Sequence, residues 1–202
     1  MKIRIKIDKI TIEHPSDIYE IMKMVLKREQ KIDRNKEHFW VLALSDASKI
    51  LSLELVALGA NNRVHARPAD ILAIPLQKQA KGVVLIHNHP AGTLEPSEAD
   101  KDFTDKMIQA CRLVNTPVLD HAIITEHSYF SFAKSGLLER LEGSNKYIPP
   151  YELEEMSYKD GWKEGKAEGI EEIAKQMLQD EEHMEKIQKW TGLSEAEINA
   201  LK

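Results

Sequence analysis

Two histidines and an aspartate carry the clearest chemical signal in this 202-residue sequence. His87 and His89 end an apolar run, and Asp100 follows a loop that contains Pro and Gly. Side chains two residues apart on a strand project from the same face, so the two imidazoles can converge on one ion. Two His and one carboxylate leave a fourth tetrahedral position for water, which is typical of catalytic zinc. The spacing therefore predicts a zinc (Zn2+) site.

Two further residues fit the chemistry of hydrolysis, which needs a base near the water and a donor for the oxyanion. Ser97 begins the same helical turn as Asp100, so its hydroxyl is the predicted donor. Glu54 interrupts the apolar run 51–58, where a charge is costly unless it is used, so it is the predicted base. Each signal has a plainer alternative. Ser97 and Asp100 alone are typical of a helix N-terminus, and Glu54 also fits an exposed strand edge. A His-x-His motif by itself is more often a pair of histidines at the surface or at the edge of the core.

Hydrophobic spacing predicts the elements that must position these residues. We expect helices that begin at Pro15, Pro68 and Ser97, with Pro75 interrupting or kinking the second of them. Strands are expected over residues 3–12, 39–44, 50–58, 83–86, 118–125 and 129–132. The third helix should bury a stripe formed by Phe103, Met107, Ala110, Cys111 and Val114. Strands interleave with helices, so the predicted fold class is α/β (α+β), with a single mixed sheet flanked by helices.

A composition change near the C-terminus predicts a separate segment. Gly and Pro residues at 143–150 predict a linker between a domain of residues 1–142 and a helical tail of residues 151–202. The tail holds 7 Lys+Arg against 14 Asp+Glu. It also carries an apolar stripe at Ile170, Ile173, Ala174, Met177 and Leu178. Our hypothesis is that this stripe mediates a homo-oligomer or docks on the domain, and that Ser194–Glu197 form the capping box of a last helix.

The bulk composition excludes several classes. The net charge of −5 lacks the basic excess of a dedicated nucleic-acid-binding protein. A single cysteine excludes an internal disulfide and a multi-cysteine metal site. The purely apolar runs, such as residues 83–86, are far too short to span a bilayer, and the N-terminus alternates charges with Ile, unlike a signal peptide. These features predict a cytoplasmic protein with no membrane association.

The motif His87-x-His89-Pro90, six residues, Ser97, two residues, Asp100 resembles the JAMM motif of MPN-domain metallopeptidases. The flanking sequence is similar to the bacterial RadC-like branch of that family, over about residues 15–142. The segments that carry this similarity are 37–41, 54–56 with Gly59, 84–92, 120–124 and 129–132. The resemblance implies a curved sheet flanked by helices, similar to cytidine-deaminase-like folds.

The resemblance also implies roles for single residues. His87, His89 and Asp100 would bind zinc. Glu54 would be the general base that works through the bound water, and Ser97 would support the tetrahedral intermediate. The expected function is zinc-dependent hydrolysis of a peptide or isopeptide amide bond in a peptide or protein substrate.

Two other functions remain as alternatives. A DNA-associated repair or accessory role is suggested by the family name and by cations on the first predicted strand, at Lys2, Arg4, Lys6 and Lys9. Steeply salt-dependent DNA binding would distinguish it. A catalytically silent MPN scaffold is the third hypothesis, and the intact set of five site residues argues against it. His121, which precedes an apolar run, is expected to be structural, with a contact to substrate or behind a ligand as the alternative.

Overall fold

The computed structural model describes residues 11–28, 36–58 and 66–201. Within these ranges the strands are β1 (His38–Leu44), β2 (Ile50–Leu58), β3 (Gly82–Asn88), β4 (Val118–Ile124) and β5 (Tyr129–Ser131). The helices are α1 (Pro15–Arg28), α2 (Pro68–Gln77), α3 (Glu98–Leu113), α4 (Leu137–Glu142), α5 (Pro150–Gln179), α6 (Met184–Thr191) and α7 (Glu195–Ala200). Most of the strand expected over residues 3–12 lies outside the described residues. At its end, Thr11 forms an isolated antiparallel bridge with Lys49.

The five strands form one mixed sheet in the order β2-β1-β3-β4-β5. β1 runs antiparallel to β2 and β3, β3 and β4 are parallel, and β5 runs antiparallel to β4. Every residue of β1 and β3 is buried, because helices cover both faces of the sheet. This explains why both strands are continuous apolar runs instead of alternating ones. The predicted fold class, a mixed sheet flanked by helices, is confirmed.

Alternating side chains divide the core of the sheet into two layers. On one face, Trp40 packs with Met22 of α1. On the other face, Leu85 packs with Ile71 of α2 and Met107 of α3. Odd-numbered residues of β3 therefore face α2 and α3, and even-numbered residues face α1. The same alternation decides which face the side chains at the C-terminal end of β3 point to.

Two details of the helices differ from the prediction. Val114 is 39% exposed, because it is the C-cap of α3 and lies beyond the last turn that packs on the sheet. The buried face of α3 includes Thr104, Met107, Ile108 and Cys111 instead. α2 continues through Pro75 to Gln77, so the proline does not end the helix. The proline removes the one bond that an N–H at this position would donate to the Ile71 carbonyl, while Lys78 N–H still bonds the Ile74 carbonyl at 3.0 Å.

The chain divides into two compact units, residues 1–147 and 148–202. In the second unit, Ala174 of α5 is buried with Ile187 of α6 and Ile198 of α7. Within the first unit, Ser144 of the segment expected to be a linker donates a hydrogen bond to Asp105 of α3, at 2.7 Å.

The second unit confirms one local prediction. Ser194 caps α7 in a capping box with Glu197, as its spacing predicted. Ile173, a member of the predicted apolar stripe, is 55% exposed in the single chain. Successive residues of a helix lie about 100° apart, so the turn that buries Ala174 directs Ile173 away from α6 and α7. None of the described helices combines the length and apolar character needed to cross a bilayer.

Candidate metal centre

The C-terminal end of β3 presents two imidazoles to the same space. His87 lies on the α3 side of the sheet, and His89 follows the last residue of the strand. The two Nε2 atoms are 3.0 Å apart. The side chain of His87 is 6% exposed and that of His89 is 13% exposed, so both rings are largely shielded from water yet reachable.

The first turn of α3 brings a carboxylate to these imidazoles. Asp100 Oδ1 lies 3.3 Å from His87 Nε2, and Asp100 Oδ2 lies 3.7 Å from His89 Nε2. Ser97 is the N-cap of α3, and its backbone N–H and its hydroxyl donate to Asp100 Oδ2 at 2.8 and 2.6 Å. The Asp100 N–H donates in return to Ser97 Oγ at 3.2 Å. A reciprocal capping box therefore fixes the carboxylate of Asp100.

The loop after β3 determines which nitrogen of His89 is free. His89 Nδ1 lies 2.9 Å from the carbonyl oxygen of Thr93, which can only accept a hydrogen bond, so Nδ1 carries the proton. A turn closes this contact: Gly92 N–H donates to the His89 carbonyl at 3.0 Å, with Gly92 at φ +84°. In neutral His89 the lone pair is therefore on Nε2, the atom that faces His87 and Asp100.

These three side chains make a donor set that fits zinc. One ligand atom from each of His87, His89 and Asp100 lies within 4.8 Å of the others. Two imidazole nitrogens and one carboxylate oxygen are ligands that zinc accepts, and they leave one position of a tetrahedron open. Burial lowers the pKa of His87 to about 4, so the ring is neutral at pH 7. The structure thus brings together the three predicted ligands, and their binding of zinc stays a prediction.

His121 of β4 lies directly behind His87. Its Nε2 is 2.8 Å from His87 Nδ1, on the side of the ring that faces away from His89. The side chain is fully buried, and burial lowers its pKa well below the ordinary value for histidine, with the nearby His87 and His89 adding to the effect. His121 is therefore a neutral contact of a candidate ligand, which the sequence left as an alternative to a purely structural role.

A carboxyl that the sequence analysis did not select lies on the segment that precedes β1. Glu37 immediately precedes β1, whose Phe39 pairs with His87. Burial raises the pKa of Glu37, while His89 lowers it and Asp100 raises it. These electrostatic effects place Glu37 within range of the candidate ligands. The antiparallel pairing of β1 with β3 is the reason, since the start of one strand meets the end of the other.

The side chain of Asn88 holds the backbone around Glu37. Its Oδ1 accepts from His38 N–H at 2.6 Å, and its Nδ2 donates to the Lys36 carbonyl at 3.0 Å. Asn88 lies between the two histidines in sequence, on the opposite face of β3 from His87. Its side-chain amide thus continues the hydrogen bonding between β3 and the chain before β1, and it fixes the segment that carries Glu37.

Glu54, the base predicted from sequence, lies on β2, which is next to β1 and at the edge of the described sheet. It pairs with Val41, which in turn pairs with Leu85 on β3. Neighbouring strands are about 4.8 Å apart, so the backbone of Glu54 runs roughly 10 Å from that of β3. Its register places it on the same face of the sheet as His87, one row farther from the strand end. The structure therefore offers two carboxyls for the predicted base, of which Glu37 interacts with the ligands.

Comparison with known proteins identifies the family of this chain. The family model for the RadC-like JAB domain matches residues 12–137. The chain is similar to a UPF0758 protein of Aquifex aeolicus, at 36% identity over 64% of this chain and 54% of that protein. It is also similar to the UPF0758 protein of Pelodictyon phaeoclathratiforme, at 40% identity over 52% of this chain and 48% of that protein.

A third relative is the UPF0758 protein YeeS of Escherichia coli, at 39% identity over 51% of this chain and 70% of that protein. The chain spans about half the length of the first two relatives, and none of the three names gives an activity. The family match covers more than half of the chain and contains every residue of the candidate metal centre. The chain therefore belongs to the RadC-like JAB domain family.

Proposed function

We propose that this protein is a zinc-dependent hydrolase that cleaves a peptide or isopeptide amide bond. The observation that supports the proposal is the convergence of His87 Nε2, His89 Nε2 and the Asp100 carboxylate. When bound there, zinc supplies a Lewis acid that activates water and polarises a carbonyl group. A site with this donor set and an adjacent base is suited to amide hydrolysis.

The protein side of the reaction needs a group that takes a proton from the attacking water and returns it to the leaving amine. Glu37 is our first candidate, because the pairing of β1 with β3 brings its segment to the strand end that bears His87, and because it interacts electrostatically with His89 and Asp100. Burial raises its pKa, which favours its use as a base. Glu54, the base expected from sequence and resemblance, is the second candidate and lies one strand farther away.

Ser97 is proposed to act in two ways. Its hydroxyl donates to Asp100 Oδ2 and so orients a ligand. The side chain is also exposed at the start of α3, next to the candidate ligands. A small rotation of its hydroxyl would let it donate to an oxyanion formed near the metal, which is the role that its motif position implies.

The first test is the metal content of the purified protein, measured by mass spectrometry beside His89→Ala. About one zinc per chain in the wild type, reduced in the variant, is the expected result. No zinc in either protein after zinc addition would contradict the proposal. The DNA-associated and scaffold alternatives would then be tested by the salt dependence of DNA binding.

The second test separates the two candidate bases. Zinc-loaded wild type, Glu37→Gln and Glu54→Gln are compared on a library of quenched fluorescent peptides and on a lysine-linked isopeptide. Glu37→Gln should keep its zinc and lose about 100- to 10,000-fold in kcat, whereas Glu54→Gln should stay close to wild type. The reverse result would assign the base to Glu54 and refute the choice of Glu37.

A further inference from the structure

A buried chain of hydrogen bonds connects α3 to the back of His87. Thr104 Oγ1 is 2.6 Å from the carbonyl oxygen of Asp100 and 2.6 Å from His121 Nδ1. The other nitrogen of His121, Nε2, is 2.8 Å from His87 Nδ1. Thr104 is 0% exposed and His121 is 1% exposed, so water does not compete for these contacts.

The protons in this chain can be assigned one by one. The Asp100 carbonyl only accepts, so the single proton of the Thr104 hydroxyl is donated to it. The same hydroxyl oxygen must then accept from His121, which puts a proton on His121 Nδ1. Neutral His121 therefore has its lone pair on Nε2 and accepts from His87 Nδ1–H.

This assignment leaves His87 Nε2 without a proton. That nitrogen faces the His89 Nε2 at 3.0 Å and the Asp100 carboxylate at 3.3 Å. Because His89 donates through Nδ1 to the Thr93 carbonyl, its Nε2 also presents a lone pair. Three electron-pair donors then point at one another, and only a cation or an added proton can satisfy them.

We propose that Thr104 and His121 are positioning residues that hold His87 in the tautomer with a free Nε2. The proposal rests on the proposed function, since it explains this tautomer by the need to bind zinc through Nε2. Neither residue is a ligand. In the other tautomer, His87 would direct an N–H group into the space where the three donors converge, and zinc would have to displace that proton first.

Aromatic packing limits the alternatives open to His121. Its ring stacks on Phe132 with centroids 4.7 Å apart, and it meets Phe39 edge-on at 6.1 Å. These contacts fix the plane of the ring, so His121 cannot turn to another partner without a cavity or a clash. Without the Thr104 hydroxyl, nothing would hold the proton on His121 Nδ1, while the ring would stay in place.

The test compares Thr104→Val with Thr104→Ser, which keeps the hydroxyl. Thr116→Val is the matched control, because Thr116 is also buried and its hydroxyl contacts the Ala80 and Val114 carbonyls, at 3.5 and 3.3 Å. Zinc affinity is measured by competition with a chromophoric chelator. Thr104→Val should bind zinc about 10- to 100-fold more weakly, Thr104→Ser should recover most of the affinity, and Thr116→Val should match the wild type.

A second measurement does not depend on zinc. Nitrogen-15 chemical shifts of the histidines in the metal-free protein report which ring nitrogen carries the proton. In the wild type His87 should be protonated at Nδ1, and in Thr104→Val it should become a mixture of tautomers. A proton on His87 Nε2 in the wild type would overturn the proposal, even if Thr104→Val failed to fold.

The two measurements keep this proposal separate from the proposed function. Failure of the wild type to bind zinc would contradict the hydrolase, while the nitrogen shifts would still decide the tautomer. Tight zinc binding by Thr104→Val, with His87 unchanged in its tautomer, would overturn the positioning role and leave the hydrolase standing.

Discussion

Replacement of Asn88 by alanine should both destabilise the protein and displace the candidate base. The side-chain amide of Asn88 bonds to the backbone on each side of Glu37, at His38 N–H and at the Lys36 carbonyl. Asn88→Ala removes both bonds without touching a candidate metal ligand. We therefore expect zinc affinity close to that of the wild type, together with a loss of kcat in the same direction as that of Glu37→Gln.

The size of the destabilisation follows from the fate of each partner. Asn88 is 3% exposed, and its bond to His38 N–H is buried, so that N–H would lose its acceptor away from water. Such a loss costs about 1–3 kcal/mol. The Lys36 carbonyl keeps its contact with His38 Nδ1 at 2.9 Å, so its share is smaller, about 0.5–1.5 kcal/mol. The free energy of unfolding should fall by about 1.5–4.5 kcal/mol in total.

Urea unfolding followed by circular dichroism measures this difference. Ser52→Ala is a suitable control, because the Ser52 hydroxyl is buried and has no hydrogen-bond partner among the described residues. Its removal should change the free energy of unfolding by about 0.5 kcal/mol or less. If Asn88→Ala cost no more than Ser52→Ala, the two hydrogen bonds would not hold the segment before β1, and the placement of Glu37 would need another cause.

Four further predictions concern other parts of the chain. Ser97→Ala should cost about 1 kcal/mol of stability and weaken zinc binding, whereas Ser194→Ala, in the matching capping box of α7, should leave zinc affinity unchanged. Gly92→Ala puts a side chain at φ +84°, which costs about 1–2 kcal/mol, and should weaken zinc binding by displacing the carbonyl that orients the second histidine. Burial raises the pKa of Asp120 above 3.8, so the folded state binds more protons than the unfolded state and stability should fall as pH rises from 3.8 to the folded pKa. In urea titrations at several pH values, Asp120→Asn should flatten this part of the dependence of stability on pH. An unchanged dependence would show that Asp120 does not cause it. We propose that residues 151–202 mediate self-association, so their deletion should reduce the mass measured by light scattering to that of one chain, and an unchanged association state would remove the hypothesis.

Local patterns in the sequence were sufficient for most of the fold. The period of apolar residues located α1 and the strands, and the capping residues located the start of α3 and α7. The spacing of the motif was sufficient to bring His87, His89 and Asp100 together, because a strand end and a helix start both have fixed side-chain directions.

The position of Glu37 near the candidate ligands could not be predicted from local sequence patterns. Its place beside the ligands depends on which strands pair and in which direction, and on a side-chain bridge from Asn88. Hydrophobic periodicity is the same whichever partner a strand chooses. Glu54 attracted attention as a charge within an apolar run, but β2 is the edge strand of the described sheet and its residues are mostly half-buried, so a carboxylate there has little desolvation cost.

Asp100 belongs to two structures at once, since its Oδ2 closes the capping box of α3 while Oδ1 faces His87. Metal occupancy and the integrity of the first turn of α3 are thus thermodynamically linked. An ion that binds only the folded turn stabilises it by RT ln(1 + [L]/Kd), so the amide hydrogens of that turn should exchange more slowly once zinc is present. A chelator should restore fast exchange there first, and the turn would report loss of the ion before any other part of the fold responded.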